Sequence, residues 1–149
     1  MGFSVSGSAA ILFIAAFVCV GILYSAAYNG YERVQDADDS HGEQMLEQRN
    51  TAVNVTDAKY NASGNEYVAV NVTNTGSTTL SVNDTDVLVD GEFQPRDGYV
   101  DWNVEGKSDT TLWLPGETYN VTVAVDSEPD RVKVVTGSGV TDIEAVEVA

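Results

Sequence analysis

Histidine and cysteine are almost absent from this sequence, which excludes several kinds of site. The 149 residues include one histidine, His41, and one cysteine, Cys19. A metal site built on imidazole and thiolate ligands needs partners that the chain does not have, so a blue-copper domain is excluded. A single cysteine forms no intrachain disulfide. His41 stands in a polar stretch, and we interpret it as a solvated residue and not as part of a catalytic triad.

Basic residues are also scarce, with 7 Lys and Arg against 23 Asp and Glu and a net charge of −16. Nothing resembles a basic stripe, so nucleic acid is excluded as a partner. The carboxylates alternate with valine, threonine, asparagine and tyrosine, a composition that disordered acidic segments lack. The sequence therefore predicts a folded protein. A halophilic source is predicted as well, because a Debye length of about 3 Å at 1 M salt screens such self-repulsion.

Charge of either sign is missing from the first 31 residues, since Glu32 is the first charged side chain. Residues 9–27 are almost wholly apolar. About 20 apolar residues at a rise of ~1.5 Å each cross a hydrocarbon layer of ~30 Å. The sequence therefore predicts a transmembrane helix within residues 1–30, in contact with membrane lipid.

The flanks of this segment distinguish a retained helix from a cleaved signal peptide. No lysine or arginine precedes it, and the apolar run is longer than the usual h-region of about 7–15 residues. Tyr24, Tyr28 and Tyr31 are predicted to lie at the membrane interface, where tyrosine is enriched. No carboxylate lies within the span, so the segment cannot conduct protons or ions and suits a fixed mount.

Two further segments follow the predicted span. Residues 31–50 are polar and carry only a weak apolar stripe at helical spacing, which predicts an acidic helical stalk. From residue 51 the pattern alternates with a period of two, and turn signals separate the segments. Residues 51–149 are therefore predicted to form an immunoglobulin-like Greek-key β-sandwich of about seven to nine strands. The clearest hairpin is centred on Asp90 and Gly91, which suit a type I′ turn.

The alternation also predicts which side chains form the core of the sandwich. Trp113 is predicted to face outward from the strand that carries two of the core residues. The core candidates are Val70, Val72, Leu80, Leu88, Trp102, Leu112, Leu114, Val121, Val123, Val132 and Val134.

No cluster of residues predicts catalysis or a cofactor. The acidic stretch 83–86, followed by Asp90 and Gly91, invites comparison with a calcium loop. Counted from Asp84, however, Leu88 and Pro95 occupy ligand positions, so the EF-hand register fails. A weak surface calcium site stays open as an alternative to simple turn chemistry. We predict a protein that is not an enzyme and binds no cofactor.

Two signals in the sequence give conflicting indications of which side of the membrane the β domain occupies. Arg33 and Arg49 follow the span, and a literal positive-inside count favours the cytoplasm. Five N-x-Ser/Thr sequons in the β domain favour the exterior, which we predict. The candidate N-glycosylation sites are Asn54, Asn61, Asn71, Asn83 and Asn120.

Several motifs together resemble one family. The opening residues 1–8 (MGFSVSGS) run directly into the apolar helix, and residues 31–34 (YERV) follow it. Residues 74–82 (NTGSTTLSV), 87–91 (VLVDG) and 113–118 (WLPGET) follow in the β domain. In this combination the chain resembles the haloarchaeal F protein of the archaellum gene cluster, the FlaF/ArlF family.

The resemblance implies a cell-membrane protein with one helix and an exterior β-sandwich that forms a homodimer. It implies attachment to the surface-layer protein and cooperation with a sister G-type protein, as the stator of a rotary motor driven by cytoplasmic ATP hydrolysis. The resemblance supplies no catalytic residues. Exposed surface around Trp113, or on the last strand with Ile143 and Val146, is the predicted partner surface.

The main alternative is a filament-forming subunit, either pilin-like or of the sister G type, in an archaellum or an adhesion pilus. The sequence departs from pilins and archaellins because no Lys/Arg-Gly processing site precedes the span. An exported solute-binding or redox domain would need a pocket or a ligand set. A membrane-anchored enzyme would need clustered catalytic side chains. The sequence shows neither.

Overall fold

The predicted N-terminal helix is present in the computed structural model, which describes residues 3–64 and 66–149. Helix α1 runs over Phe3–Asn50 without a break. It is long and apolar enough to cross a membrane, with a mean hydropathy of 2.5 over its most apolar stretch. Met1 and Gly2 of the N-terminal motif lie outside the described residues. The division into a span of residues 1–30 and a stalk of residues 31–50 stays a prediction.

The remainder of the described chain is β structure, with two short 3-10 helices at Val82–Asp84 and Arg96–Gly98. Eleven strands are described, against the seven to nine predicted, because β3, β7 and β11 are only two residues long. The strands are β1 Val53–Asn61, β2 Tyr67–Asn74, β3 Leu80–Ser81, β4 Asp86–Val89, β5 Glu92–Gln94, β6 Tyr99–Val104, β7 Leu112–Trp113, β8 Thr118–Ala124, β9 Arg131–Val135, β10 Thr141–Ala145 and β11 Glu147–Val148.

These strands form the predicted β-sandwich. One sheet has five strands in the order β11-β1-β2-β8-β6, and the other has four in the order β10-β9-β4-β5. A two-stranded piece, β3-β7, accompanies them. Valine at every second position of β2, β8 and β9 faces inward, since Val68, Val70, Val72, Val132 and Val134 are all fully buried. The alternation predicted from the sequence is therefore confirmed for the long strands.

Trp113 is the largest departure from the predicted core. The indole is completely buried, whereas Leu112 and Leu114 are 58% and 46% exposed. The Trp113 ring packs on Tyr119 with ring centroids 5.6 Å apart. Its Nε1 donates a hydrogen bond to the Glu117 carbonyl at 2.8 Å. The prediction that Trp113 faces outward between two core leucines was therefore wrong. Alternation places Trp113 on the opposite face from Leu112 and Leu114, and on the inner face the indole gains both the Tyr119 ring and a hydrogen-bond partner for Nε1.

Two other predicted core residues lie only partly inside. Leu88 is half-buried, because Val87 and Val89 on either side of it point inward. Three consecutive apolar residues leave the phase of a strand undetermined, and a shift by one residue exchanges the two faces. Trp102 is half-buried and packs against the rim of the core.

The hairpin predicted at Asp90 and Gly91 is present. Both residues have positive φ, 52° and 88°, and Val89 pairs with Glu92. The Asp90 carboxylate accepts hydrogen bonds from the backbone N–H groups of Asp130 and Arg131, each at 3.0 Å. This carboxylate therefore joins the hairpin to the start of β9, which gives it a structural role in the turn.

The end of α1 is tied to the β2–β3 loop by backbone hydrogen bonds. The N–H groups of Thr75 and Gly76 donate to the Ala52 carbonyl, and Ser77 donates to that of Asn50, all at 2.9 Å. A Cβ atom at Gly76 would lie 2.5 Å from the Asn50 oxygen and the Ala52 nitrogen. Only glycine fits this close approach, so the loop clasps the point where the chain enters the sandwich.

Candidate functional site

The outer face of the five-stranded sheet carries a polar row. Asp57, Asn71, Asn120 and Asn103 are directly opposite one another on β1, β2, β8 and β6. The Asn120 amide donates a hydrogen bond to Asn103 Oδ1 at 3.0 Å. Amide side chains that face water in this way keep their hydration, so this face has little tendency to pack against apolar surface.

The five predicted sequons are not spread evenly over the domain. Asn54, Asn71 and Asn120 lie on strands of the five-stranded sheet and alternate with buried valines, so they share its outer face. Asn61 stands at the end of β1, where its Oδ1 accepts a hydrogen bond from the Ser63 N–H at 2.8 Å. Asn83 is exposed in the first 3-10 helix. Glycosylation at these positions stays a prediction.

The outer face of the four-stranded sheet has the opposite character. Phe93, Leu88, Lys133 and Ile143 pair in register across β5, β4, β9 and β10, and we call them the apolar row. Phe93 is 56% exposed and Ile143 is 50% exposed. Lys133 contributes its aliphatic stem between Leu88 and Ile143. The row therefore presents apolar side chains on three of the four strands, with the Lys133 ammonium group on the fourth.

Charge is balanced around the apolar row, although the chain as a whole is strongly acidic. Arg131 and Lys133 lie on β9, Asp86 lies on the neighbouring β4, and Asp90 lies in the turn that follows β4. Within the described residues, neither Arg131 nor Lys133 forms an ion pair. None of the five sequon asparagines lies on a strand of this sheet.

The three residues predicted to form a partner surface lie in different places. Trp113 is buried and does not contribute to any surface. Val146 is half-buried and packs against the core, and its N–H donates to the Asp130 carbonyl at 3.0 Å. Ile143 belongs to the apolar row. The predicted last strand, with Ile143 and Val146, is in fact two strands. β10 joins the four-stranded sheet, and β11 pairs with β1 in parallel.

The predicted interface tyrosines lie on α1. The rings of Tyr24 and Tyr28 stack with centroids 6.4 Å apart. Both are exposed, as is Tyr31. Their placement at a membrane surface stays a prediction. Among the described residues, no group of three or more His, Cys, Asp or Glu is placed to hold a metal ion.

Sequence reasoning missed Arg96, which lies among aromatic rings between β5 and β6. Its guanidinium carbon lies 5.9 Å from the centroid of the Tyr99 ring and 6.0 Å from that of Trp102. Both distances suit a cation–π interaction. The available signal was the spacing of Tyr99 and Trp102, three and six residues after the arginine. Arg96 therefore packs its guanidinium against β6, the edge strand of the five-stranded sheet.

Tyr119 lies behind this cluster and is fully buried, and no hydrogen-bond partner of its hydroxyl is found in the described part of the chain. Burial raises the pKa of Tyr119 well above its usual range, against a smaller opposing effect of the nearby Arg96 guanidinium. The folded state therefore favours the neutral phenol. Its contribution to stability is complete below the unfolded pKa of about 10 and is lost as pH rises above it.

Replacing Tyr119 with phenylalanine is expected to leave the free energy of unfolding at pH 8 unchanged or raise it by up to ~1 kcal/mol, because a buried unpaired hydroxyl is removed. The variant should also lose less stability than the wild type between pH 9.5 and 11. Urea unfolding of the full chain in detergent, followed by circular dichroism, measures both effects. Tyr67→Phe is the matched control. A Tyr119→Phe variant that is clearly less stable at pH 8 would show that the hydroxyl is paired.

Comparison with known proteins gives one family match. The family model for archaeal-type flagellin matches residues 2–145. No curated protein sequence matches the chain significantly.

Two solved structures are similar in part. The archaellum periplasmic stator protein FlaG from Sulfolobus acidocaldarius is 25% identical, with a TM-score of 0.45, over 63% of this chain and 97% of that one. A chain of the FlaF–FlaG stator complex from the same organism is 23% identical, with a TM-score of 0.43, over 62% of this chain and 85% of that one.

Proposed function

The chain belongs to the archaeal-type flagellin family, which makes it a component of an archaellum, and we propose that it is a stator, the static membrane-anchored part of the motor. A stator needs a foot in the membrane, a folded body and a surface that holds an immobile structure. The apolar part of α1 supplies the foot, and the β-sandwich supplies the body. The motifs that resemble the FlaF/ArlF family support the same function.

The observation that carries the proposal is the high charge of the C-terminal part of α1. Residues 32–50 contain six carboxylates and two arginines, and every one of these side chains is exposed. Helices at the core of a filament pack against one another, and burying unpaired charges there is costly. This part of the helix suits an aqueous environment. It therefore favours a stator whose helix emerges into water over a subunit whose helix lies in a filament core.

The proposal also includes location and partners. The β domain lies outside the cell, which the concentration of sequons on one face of the sandwich supports. It contacts the surface-layer protein. The chain forms a homodimer, and the homodimer works together with a sister G-type protein. The chain has no catalytic role in this arrangement, since the motor draws its energy from ATP hydrolysis in the cytoplasm.

A filament-forming subunit is the second candidate, because the family that the chain belongs to is a flagellin family. The uninterrupted 48-residue helix followed by a β domain also suits such a subunit. In that case the apolar part of the helix would bundle with neighbouring copies, and the chain would be found in filaments sheared from cells.

Deletion of the gene distinguishes the two candidates. For a stator, we expect cells that still assemble filaments but do not swim, with filaments that fail to rotate when tethered. The full-length chain in detergent should also sediment with isolated surface layer. A deletion without filaments, together with the chain in sheared filaments, would establish the filament subunit. Normal swimming would contradict both functions.

A further inference from the structure

We propose that the outer face of the four-stranded sheet, centred on the apolar row, is the docking face of this protein. The partner that binds there is the surface-layer protein, through a surface that presents carboxylates around an apolar strip. This inference rests on the proposed function, and it names the face and the chemistry of the contact.

The first step of the argument is hydrophobic. Phe93, Leu88 and Ile143 lie in one row across three of the four strands, and two of them are at least half exposed. Isolated exposed apolar side chains are ordinary, but a contiguous strip on a sheet face indicates an interaction site. Val135 on β9, half-buried, extends the strip towards the next row of the sheet.

The second step is the contrast with the opposite face. The five-stranded sheet carries the polar row and the asparagines of three sequons. Glycans at those positions would cover that face and keep a protein partner away. The four-stranded sheet carries no sequon asparagine on its described strands, and Asn83 lies in the 3-10 helix that precedes β4, so a glycan would not start from the sheet face itself.

The third step is electrostatic, and it specifies the occupant. Lys133 stands inside the apolar row between Leu88 and Ile143, and it forms no ion pair with the described residues. A partner that covers the row removes water from around the ammonium group. A counter-charge on the partner offsets this cost, so a surface with carboxylates beside an apolar strip fits this face better than a purely apolar one. A purely apolar surface would leave Lys133 unpaired.

A pair of matched charge reversals tests the proposal. Lys59 lies on the outer face of the five-stranded sheet, where it pairs with Asp57 at 2.9 Å. Lys133→Glu and Lys59→Glu therefore make the same change in net charge on opposite faces. In sedimentation of the full-length chain with isolated surface layer, we expect Lys133→Glu to weaken binding at least tenfold, as a lost buried charge pair does, and Lys59→Glu by less than about twofold.

A second pair tests the apolar strip. Ile143→Ser should weaken binding, whereas Leu112→Ser, on a side chain of similar exposure outside this face, should not. Circular dichroism of each variant shows whether it is folded, and Lys133→Gln replaces Lys133→Glu if the latter is not. Amidation of the carboxylates on the isolated layer with carbodiimide and ethanolamine should reduce wild-type binding to the level of Lys133→Glu.

The possible failures are distinguishable. If the wild type does not bind the layer, the proposed function fails. If the wild type binds and the Lys133 and Ile143 variants bind equally well, the docking face lies elsewhere. If these variants instead change the molar mass of the chain in light scattering, the face joins two copies and the inference is overturned. Binding of the wild type to anionic lipid vesicles through Lys133 would overturn it too.

Discussion

Replacing Trp113 with alanine is expected to lower the free energy of unfolding of the β domain by about 3–5 kcal/mol, the usual cost of removing a buried indole. The ring has no exposed surface, and it packs on Tyr119 with centroids 5.6 Å apart. Its removal also leaves the Glu117 carbonyl without the hydrogen bond from Nε1. Denaturant unfolding of the full chain in detergent, followed by far-ultraviolet circular dichroism, measures the loss.

Trp102→Ala is the control for this experiment. Trp102 is half-buried on the edge strand β6, so its replacement leaves a site that water can enter. We expect a clearly smaller loss than at Trp113. Equal losses at both positions would mean that the core does not centre on Trp113, and a loss below about 1 kcal/mol at Trp113 would mean that the neighbours close the cavity.

Replacing Asn74 with alanine is expected to cost on the order of 3 kcal/mol, because each buried polar group left unpaired costs about 1–3 kcal/mol. Asn74 is completely buried at the end of β2. Its Nδ2 donates to the carbonyls of Thr78 and Trp113, at 2.9 and 3.1 Å. Its Oδ1 accepts from the Gly76 N–H at 3.1 Å. One side chain thus holds the β2–β3 loop and the strand that carries Trp113.

Asn103→Ala is the matched control for Asn74. Asn103 also accepts hydrogen bonds, from Asn120 and from the Gly106 N–H, but it lies on the outer face where water replaces a lost partner. We expect a loss of about 1 kcal/mol or less there. If both asparagines cost the same in thermal and denaturant unfolding, burial does not determine the effect.

The architecture could be predicted because long strands leave little freedom in their phase. Alternating valines over Tyr67–Asn74 and Thr118–Ala124 place one face inward whatever the neighbours do. Residues 112–114 are different, since a two-residue strand fits either phase. There the decision depends on which side chain the rest of the core can enclose. Trp113 is enclosed because it packs on the Tyr119 ring and donates a hydrogen bond to the Glu117 carbonyl. Both partners follow a turn whose geometry the hydrophobic pattern does not specify.

The candidate site was less accessible to prediction. Sequons are local motifs and can be read directly, but their sharing of one face depends on the register of β1, β2 and β8. The apolar row combines Leu88 and Phe93 with Lys133 and Ile143, which lie 40 to 55 residues further along the chain. Only the order β10-β9-β4-β5 brings them together. No periodicity within a single segment indicates such a row.

The clasp formed by Thr75, Gly76 and Ser77 has a mechanical consequence. The chain enters the sandwich at β1, which pairs with β2 along its length and with β11 at its far end. A tension applied along the axis of β1 therefore strains its inter-strand hydrogen bonds together, in shear, and these bonds fail cooperatively. The clasp at Asn50 and Ala52 resists peeling at the point of entry. A body built in this way can hold a sustained load without unravelling from the end that is pulled.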